Sequence, residues 1–350
     1  MTENKNFFLR NIWYYALPGG QLKPGAMVAK TLLGEPVLLA RRSTGQVFAL
    51  RDICPHRAVP LSCGRFDGHE VECAYHGWRF DQKGRCTEIP SLVEGQDLDL
   101  SRFGVKQYPV REVQGNIWIY MAAVDTANGS QPDIDIPVVP YFGDQPYQLV
   151  ETLQFPCFLD HAVVGLMDPV HGPFVHRSWW WRSRGSLFEK AKSFDPSPYG
   201  FTMRRHQLLK KSRVYRLLGG VPEVEIAFRL PSVRIEYINT GYHTVCNLTA
   251  VTPISETQTE VHSAFYWTLP WLTAVKPLVR PFVRAFLNQD RELVVKQQVG
   301  LKHNPTLMLI NDADTQARWY YQLKAEFARA TAEGRPFSNP VKEKVLRWRS

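Results

Sequence analysis

The 350-residue chain has no uninterrupted apolar run of the length that a bilayer-spanning helix needs, so a transmembrane protein is not expected. Its first residues, Met1-Thr-Glu-Asn-Lys-Asn, lack the basic start and apolar stretch of a signal peptide, which predicts a cytoplasmic location. Internal repeats and low-complexity tracts are also missing. A chain of this length is typical of a folded protein with two domains, each with its own core.

Cysteines are few, and their positions argue against a disulfide framework. Two of the six belong to a motif described below. The other four are scattered, which predicts free, mostly buried thiols in a reducing compartment. They are Cys63, Cys86, Cys157 and Cys246.

Acidic residues are outnumbered by basic ones, 33 against 42, which gives a net charge of +9 at pH 7. The basic residues are spread along the chain without a recognisable nucleic-acid-binding module, so no nucleic-acid partner is predicted. Two interpretations of the charge stay open. One is a basic face that docks an acidic electron carrier, and the other is an ordinary solvated surface.

Two pairs of cysteine and histidine are the strongest signal in the sequence. Cys54-Pro-His56 and Cys73-Ala-Tyr-His76 are separated by sixteen residues. Two thiolates and two imidazoles can hold one zinc ion tetrahedrally. They can also hold a [2Fe–2S] cluster, with cysteines on one iron and histidines on the other.

The residues around both pairs, Cys54-Pro-His-Arg and Cys73-Ala-Tyr-His-Gly-Trp, resemble the cluster-binding loops of Rieske-type ring-hydroxylating oxygenases. The resemblance implies that Cys54, His56, Cys73 and His76 bind a Rieske [2Fe–2S] cluster, and it favours the cluster over zinc. Ala58 departs from the family pattern, because many members have a glycine at this position.

Hydrophobic alternation and turn residues predict an α+β protein in two parts. Closely spaced strands up to Met121 predict a small all-β domain, and the polar stretch from Asp125 to Asp133 predicts a linker. Later strands with helices before and after them predict an antiparallel sheet covered by a long helix, which the family resemblance makes a helix-grip domain. The predicted domains are 1–125, the Rieske domain, and 126–350, the catalytic domain. The strands of the second domain are predicted near 148–154, 201–206, 222–230, 233–239, 243–251 and 258–267, and its helices near 158–166, 275–299 and 313–332.

A second metal site is predicted at Asp168-Pro-Val-His171-Gly-Pro-Phe-Val-His176. Two histidines and one carboxylate bind ferrous iron on one face and leave positions open for O2 and substrate. Five positions on a regular helix separate two side chains by roughly 140°, so we expect Gly172 and Pro173 to break the helix between the histidines. The alternative is a pair of histidines with local hydrogen bonds. The spacing also resembles the iron-binding segment of the oxygenase family.

The third ligand of this iron is predicted to be Asp290. On a helix predicted over 278–299 it lies in the middle of an apolar stripe, where a carboxylate is costly unless it meets a cation. The family takes its carboxylate ligand from a late helix with a similar Gln-Asp-Arg context. A pairing of Asp290 with a buried arginine stays open, and Asp312 and Asp314 are further candidates.

Asp168 has two predicted roles. The family resemblance implies a homotrimer in which Asp168 bonds to His171 and to His76 of a neighbouring subunit, and so joins the electron path between the metal sites. The alternative is a helix N-cap ahead of Pro169.

Two aromatic segments are open to two interpretations each. The run Trp179-Trp-Trp181 predicts either a wall of the substrate pocket or packing in the core or between subunits. The basic and aromatic segment 267–287 predicts a pocket lid or the approach to the iron helix, with contact to a membrane surface as the alternative.

The resemblance implies a terminal oxygenase component with a mononuclear Fe(II), acting as a mono- or dioxygenase. It would hydroxylate or oxidatively demethylate a hydrophobic cyclic or aromatic substrate with O2. The chain lacks a dinucleotide or flavin fingerprint, so its electrons would come from NAD(P)H through a separate ferredoxin or reductase. Val164 stands where many ring dioxygenases have an asparagine, which weakens the case for cis-dihydroxylation. A steroid-type monooxygenase, a Rieske electron-transfer protein whose second domain binds a ligand, and a plain binding module stay open.

Overall fold

The computed structural model describes residues 7–123, 134–176, 187–207 and 220–350. The chain forms two compact units, one from Arg10 to Ile136 and one that combines Pro137–Ser350 with the residues up to Leu9. The predicted domain boundary between residues 125 and 126 lies outside the described residues.

The first unit consists of three small antiparallel sheets. Their strand orders are β1-β11-β10, β2-β3-β4-β9 and β5-β6-β7-β8. The strands are β1 Ile12–Pro18, β2 Met27–Leu32, β3 Glu35–Arg41, β4 Val47–Arg51, β5 Arg65–Phe66, β6 Val71–Glu72, β7 Arg79–Phe80, β8 Cys86–Glu88, β9 Gln107–Tyr108, β10 Val110–Val113 and β11 Asn116–Met121. The all-β prediction for this part of the chain is confirmed.

Two loops of the first unit carry the cysteine and histidine pairs. The first loop, residues 54–59, follows β4, and the second loop, residues 73–78, connects β6 to β7. Buried apolar side chains such as Leu50, Val71 and Phe80 form one core cluster that includes both motif cysteines. The core of this unit therefore extends to the base of both loops.

The second unit is built on one antiparallel sheet of eight strands in the order β12-β18-β17-β16-β15-β14-β13-β19. The strands are β12 Leu149–Phe155, β13 Glu189–Ser197, β14 Gly200–Gln207, β15 Glu223–Arg229, β16 Val233–Asn239, β17 Thr244–Ser255, β18 Gln258–Trp267 and β19 Lys344–Arg349. The helices are α1 Leu159–Met167, α2 Gly172–Val175, α3 Pro270–Ala274, α4 Lys276–Leu301 and α5 Thr315–Glu333. This arrangement confirms the predicted α+β fold.

The long helix α4 packs against the edge strand β12. Val279 and Val283 of α4 join an apolar cluster with Leu149 and Trp267 of the sheet. The buried carboxylate of Glu151 on β12 pairs with arginines of α4, and its nearer partner is the Nε of Arg280. These contacts fix the helix that carries Asp290 on one face of the eight-stranded sheet, hereafter the inward face. Within the described residues, no helix is long and apolar enough to cross a bilayer.

A buried ion pair joins α1, which leads into the histidine segment, to α5. The ammonium of Lys324 donates to both oxygens of Asp160 at 2.7 and 2.8 Å, and the Tyr320 hydroxyl donates to the same carboxylate at 2.6 Å. The ammonium also lies 4.5 Å from the ring centroid of Phe7 and 5.2 Å from that of Phe158. Burial lowers the pKa of Lys324, whereas Asp160 raises it.

We expect Lys324→Met to lower the free energy of unfolding by about 3–5 kcal/mol, because it leaves the Asp160 carboxylate buried without its cation. Thermal unfolding followed by circular dichroism measures the effect. Arg204→Met is the control. It removes the exposed ion pairs of Arg204 with Asp195 and Glu343, and exposed pairs contribute little to stability. Equal effects of the two substitutions would contradict this account.

Candidate functional site

The two loops of the first unit repeat one backbone turn. In each loop the cysteine carbonyl accepts from the N–H four positions later, and the cysteine N–H donates to the carbonyl five positions later. In the first loop the partners are Ala58 and Val59, both at 2.9 Å. In the second loop they are Gly77 at 3.1 Å and Trp78 at 2.9 Å. The shared turn explains why two pairs of different spacing present the same kinds of ligand.

The four predicted cluster ligands lie around one small pocket. Cys54, His56, Cys73 and His76 line it. The two imidazole rings lie 4.4 Å apart between centroids, and the ring of Trp78 stacks on His56 at 4.8 Å. Both cysteines are buried, whereas His56 is exposed and His76 half-buried. The two sulfurs lie on the inner side and the two imidazoles on the outer side. This arrangement fits a cluster in which the cysteines bind one iron and the histidines bind the other.

The thiol of Cys54 is buried beside that of Cys73. Burial and the neighbouring Cys73 together raise the pKa of Cys54 to about 11, although backbone hydrogen bonds lower it. A bound metal deprotonates such a thiol outright. The sulfur pair is therefore arranged to bind a cation rather than to act as a free nucleophile.

The start of the first loop is held by a buried carboxylate. Asp52 accepts from the N–H of Ser62 at 2.7 Å and from its hydroxyl at 2.5 Å. These bonds tie the strand before the loop to the turn after it.

Ala58 occupies the position in the first loop that Gly77 occupies in the second. Both have a left-handed backbone, with φ of 59° at Ala58 and 68° at Gly77. A left-handed conformation costs an alanine roughly 1–2 kcal/mol. Ala58, which departs from the family pattern, is therefore a locally strained residue.

The second predicted site also comes together, in the second unit. The Nε2 atoms of His171 and His176 lie 3.2 Å apart, and the Oδ1 atom of Asp290 lies 3.8 Å and 3.5 Å from them. Nitrogen and oxygen ligands of one divalent metal lie roughly 2 Å from it and therefore about 3–4 Å from one another. Within the described part of the chain, this is the only group of three such residues close enough to share an ion.

Hydrogen bonds orient both imidazoles of this group. The Nδ1 atom of His171 lies 2.7 Å from the backbone carbonyl of Asp168, and that of His176 lies 3.1 Å from the Gln289 side-chain oxygen. Since these oxygens are acceptors, each Nδ1 carries the proton and each Nε2 presents a lone pair to the metal position. The ring of Phe286 stacks on His176 at 3.7 Å and completes its surroundings.

The backbone between the two histidines differs from the prediction. Gly172 and Pro173 do not break a helix there, because they form the single-turn helix α2, with Pro173 in its first turn where proline is tolerated. The chain leaves helical geometry at His176, with φ −84° and ψ 79°. That departure, rather than a break after His171, turns the second ring toward the first.

Asp290 lies on α4 with 31% of its side chain exposed. Burial raises its pKa to about 6, although electrostatic interactions with His171 and Arg234 lower it. Burial also lowers the pKa of His176 to about 4. At neutral pH the carboxylate is therefore ionised and His176 is neutral, and both are in the form that binds a metal. The predicted stripe is incomplete, because Leu293 is 48% exposed.

Asp168 ends helix α1 instead of beginning the next one. Its N–H donates to the carbonyl of Val164, and its Oδ1 atom accepts from the N–H of Val170 at 2.7 Å. Its Oδ2 atom lies 3.8 Å from the Nδ1 of His171. The N-cap of α2 is His171.

The other candidates lie elsewhere. Asp314 accepts from the N–H of Ile310, and Asp312 accepts from the N–H of Arg347. Neither joins the histidine group. The tryptophan run at 179–181 lies outside the described residues.

Sequence reasoning did not identify Gln289, the residue that orients His176. Its position next to Asp290 was a usable signal, because a polar residue beside a buried ligand often supports another ligand. The stacking partners Trp78 and Phe286 carried no such signal, since aromatic residues are common in any core.

We expect Ala58→Gly to stabilise the first loop by a net roughly 0.5–1 kcal/mol and so to raise the thermal midpoint of cluster loss. The reason is that the strain relieved at the left-handed alanine exceeds the entropy that glycine adds to the unfolded chain. Gly77→Ala should lower the midpoint, since a Cβ there meets the Pro90 Cγ at 3.2 Å. Visible absorption during heating measures both. A shift of the same sign in the two variants would show that the loops are not equivalent.

We expect Gln289→Leu to weaken Fe(II) binding about 10–100-fold, because the Nδ1–H of His176 loses its acceptor. Gln289→Glu keeps an acceptor and should retain tight binding. Glu292→Gln on the exposed side of the same helix is the control. Competition with an iron chelator measures the affinity. Unchanged affinity in Gln289→Leu would remove this role.

Residues 12–109 match the family described as the Rieske [2Fe-2S] domain. The toluene-4-sulfonate monooxygenase system iron-sulfur subunit TsaM1 of Comamonas testosteroni is 37% identical over 172 residues, which are 48% of this chain and 47% of that protein. The dicamba O-demethylase oxygenase component of Stenotrophomonas maltophilia is 35% identical over 173 residues, 49% of this chain and 48% of its own length. The chain thus spans about half the length of these curated relatives.

The fold is similar to that of a solved oxygenase. The crystal structure of dicamba monooxygenase bound to 3,6-dichlorosalicylic acid matches with a TM-score of 0.75 at 21% identity, over 93% of this chain and 99% of that one. The match to the Rieske domain favours the cluster over a zinc ion. The chain therefore contains a Rieske [2Fe–2S] domain, as the resemblance of its two motifs implied, and its fold is similar to that of dicamba monooxygenase.

Proposed function

We propose that the chain is the terminal oxygenase component of a multicomponent system. The observation that carries this proposal is the presence of two different donor sets in one chain. One has two sulfurs and two nitrogens around a pocket, and the other has two nitrogens and one carboxylate oxygen within 3.8 Å of one another. An electron carrier needs the first set alone, whereas an oxygenase needs both.

Cys54, His56, Cys73 and His76 hold the cluster in this proposal, and His171, His176 and Asp290 hold the mononuclear iron. When bound, the cluster supplies single electrons and the ferrous ion supplies O2 activation. The chain supplies ligand orientation. The Asp168 carbonyl and Gln289 keep the protons of both imidazoles on Nδ1, and the partial burial of Asp290 strengthens its attraction to a cation.

The proposed reaction is hydroxylation or oxidative demethylation of a hydrophobic cyclic substrate. The names of the relatives, a toluene-4-sulfonate monooxygenase subunit and a dicamba O-demethylase component, support this range. Both names also denote parts of larger systems, which supports a separate ferredoxin or NAD(P)H-dependent reductase as the electron source.

The assembly remains part of the proposal. We infer a cytoplasmic homotrimer in which Asp168 of one subunit bonds to His76 of the next and links the two metal sites. The position of Asp168 supports this role, because its backbone carbonyl already orients His171 and a third of its carboxylate surface is exposed.

The first test is iron content together with oxygen chemistry. We expect three irons per chain in the parent protein and two in His171→Ala, with the cluster absorption unchanged and substrate-dependent O2 uptake lost. The exposed residue His303 provides the control, His303→Ala, which should keep three irons. Two irons in the parent would identify an electron carrier, and none would identify a plain binding module.

The second test concerns electron delivery. We expect Asp168→Asn to keep both metals, because the backbone carbonyl that orients His171 is unchanged. It should slow the oxidation of the reduced cluster by O2 in the presence of substrate, because the amide has one acceptor oxygen fewer to offer His76 of the neighbouring subunit. Stopped-flow absorption of the cluster measures this rate. A rate equal to that of the parent would rule out the bridging role.

A further inference from the structure

A row of polar side chains crosses the inward face of the eight-stranded sheet. Arg234 on β16 is opposite Thr249 on β17, which is opposite Ser263 on β18. In the same way, Glu236 is opposite Asn247. Because directly opposite residues of antiparallel strands project from the same face, and residues two apart on one strand do so too, these five side chains share a face.

This face is the one that α4 covers. Val245 of β17 and Phe265 of β18 lie in the same alignment as the polar row. Both pack in the cluster that contains Val279 and Val283 of α4. The polar row is therefore directed toward the helix that carries Asp290.

Solvent reaches one end of the polar row, although Thr249 and Ser263 are only 2% and 0% exposed and the flanks are closed. Ile238 and Trp267 on one side are 8% and 5% exposed, and Val251 and Val261 on the other side are 1% and 4% exposed. Between these flanks, the side chains of Arg234 and Glu236 keep 19% and 21% exposure. An inward-facing residue that remains accessible indicates a space above it.

The polar row continues toward the helix that carries Asp290. Ser263 is opposite Glu151 on β12, so the Glu151 side chain projects from the same face. The buried carboxylate of Glu151 pairs with Arg280 and Arg284 of α4. A molecule held on the polar row would therefore lie between the sheet and the helix that supplies Asp290.

The row is internally hydrogen-bonded, and both carboxylates on this face, Glu236 and Glu151, are paired with arginines. The Nη1 atom of Arg234 donates to the Oε2 atom of Glu236 at 2.9 Å. The Ser263 hydroxyl donates to the Asn247 side-chain oxygen at 2.8 Å, and the Asn247 amide donates to the Thr249 hydroxyl at 3.3 Å. Apolar residues would pack such a face at lower desolvation cost, so polar residues here point to ligand binding.

We propose that Arg234, Glu236 and Asn247 form a polar subsite that binds an uncharged oxygen substituent, such as a hydroxyl or keto oxygen, on an otherwise apolar ring compound. This inference rests on the proposed oxygenase function and names the substrate class of that site. A guanidinium with five N–H groups and a carboxylate with several lone pairs can donate to or accept from such an oxygen without breaking their own pair. An anionic substituent has to displace Glu236 from Arg234, so it is disfavoured.

Three naphthalene compounds test the subsite because they share one ring system. We measure the binding of 2-naphthol, naphthalene and 2-naphthoate to the full-length, iron-loaded protein by calorimetry, without reductant so that no turnover occurs. We expect 2-naphthol to bind about tenfold or more tightly than either of the other two, as a hydrogen bond to a charged group implies.

The double variant Arg234→Met/Glu236→Met replaces the ion pair with apolar side chains of similar length, which avoids an unpaired charge. We expect it to bind naphthalene as well as the parent does and to lose the preference for 2-naphthol. Asn247→Leu is a second variant and should reduce the same preference. Arg204→Met, which removes an exposed ion pair of the same sheet, should leave it unchanged.

Equal binding of the three probes, tighter binding of 2-naphthoate, no binding of any probe, or a preference that survives in the double variant would overturn the subsite. These outcomes differ from a failure of the oxygenase proposal. If the oxygenase proposal is wrong, the parent protein has fewer than three irons per chain or shows no substrate-dependent O2 uptake, and this result does not depend on which probe binds.

Discussion

The half-buried carboxylate of Asp290 is the constraint on which the arrangement of the second unit depends. It lies on a long helix, opposite two imidazoles that are oriented by Asp168 and Gln289. His176 is neutral at neutral pH, since burial lowers its pKa to about 4, and Arg234 shares its charge with Glu236. The nearby protein charges therefore compensate this carboxylate only in part. A divalent cation between the three ligands satisfies it fully, and the ligand atoms are already spaced for one.

The first unit also holds four ligand side chains close together, and it does so with a repeated backbone turn. One backbone turn, used twice, places two cysteines in the core and two histidines at its edge. In a bound cluster, the buried sulfurs would hold one iron and the more exposed imidazoles the other, and solvent exposure is one of the factors that set the reduction potential. The left-handed alanine at position 58 shows that the turn is kept even where a residue other than glycine pays a conformational cost.

Much of this could be predicted because the signals are local. The spacing of Cys54, His56, Cys73 and His76 is read directly from the chain, and strands such as β15 to β18 alternate clearly enough to be located within one or two residues, apart from the end of β17. The strands β13 and β19 were missed, because Glu189–Ser197 contains no β-branched residue and Lys344–Arg349 is short and highly charged. The polar row at Arg234 was also not predicted. Its residues come together only through the register of three strands, which no single stretch of sequence specifies.

The central claim is that one chain holds two separate iron centres. Anomalous diffraction from crystals of the iron-loaded protein, with data collected on both sides of the iron absorption edge, tests it most directly. The account predicts two iron peaks among Cys54, His56, Cys73 and His76 and a third within bonding distance of His171, His176 and Asp290. A third position without iron in fully loaded crystals, or a peak there that appears at the zinc edge instead, would contradict it.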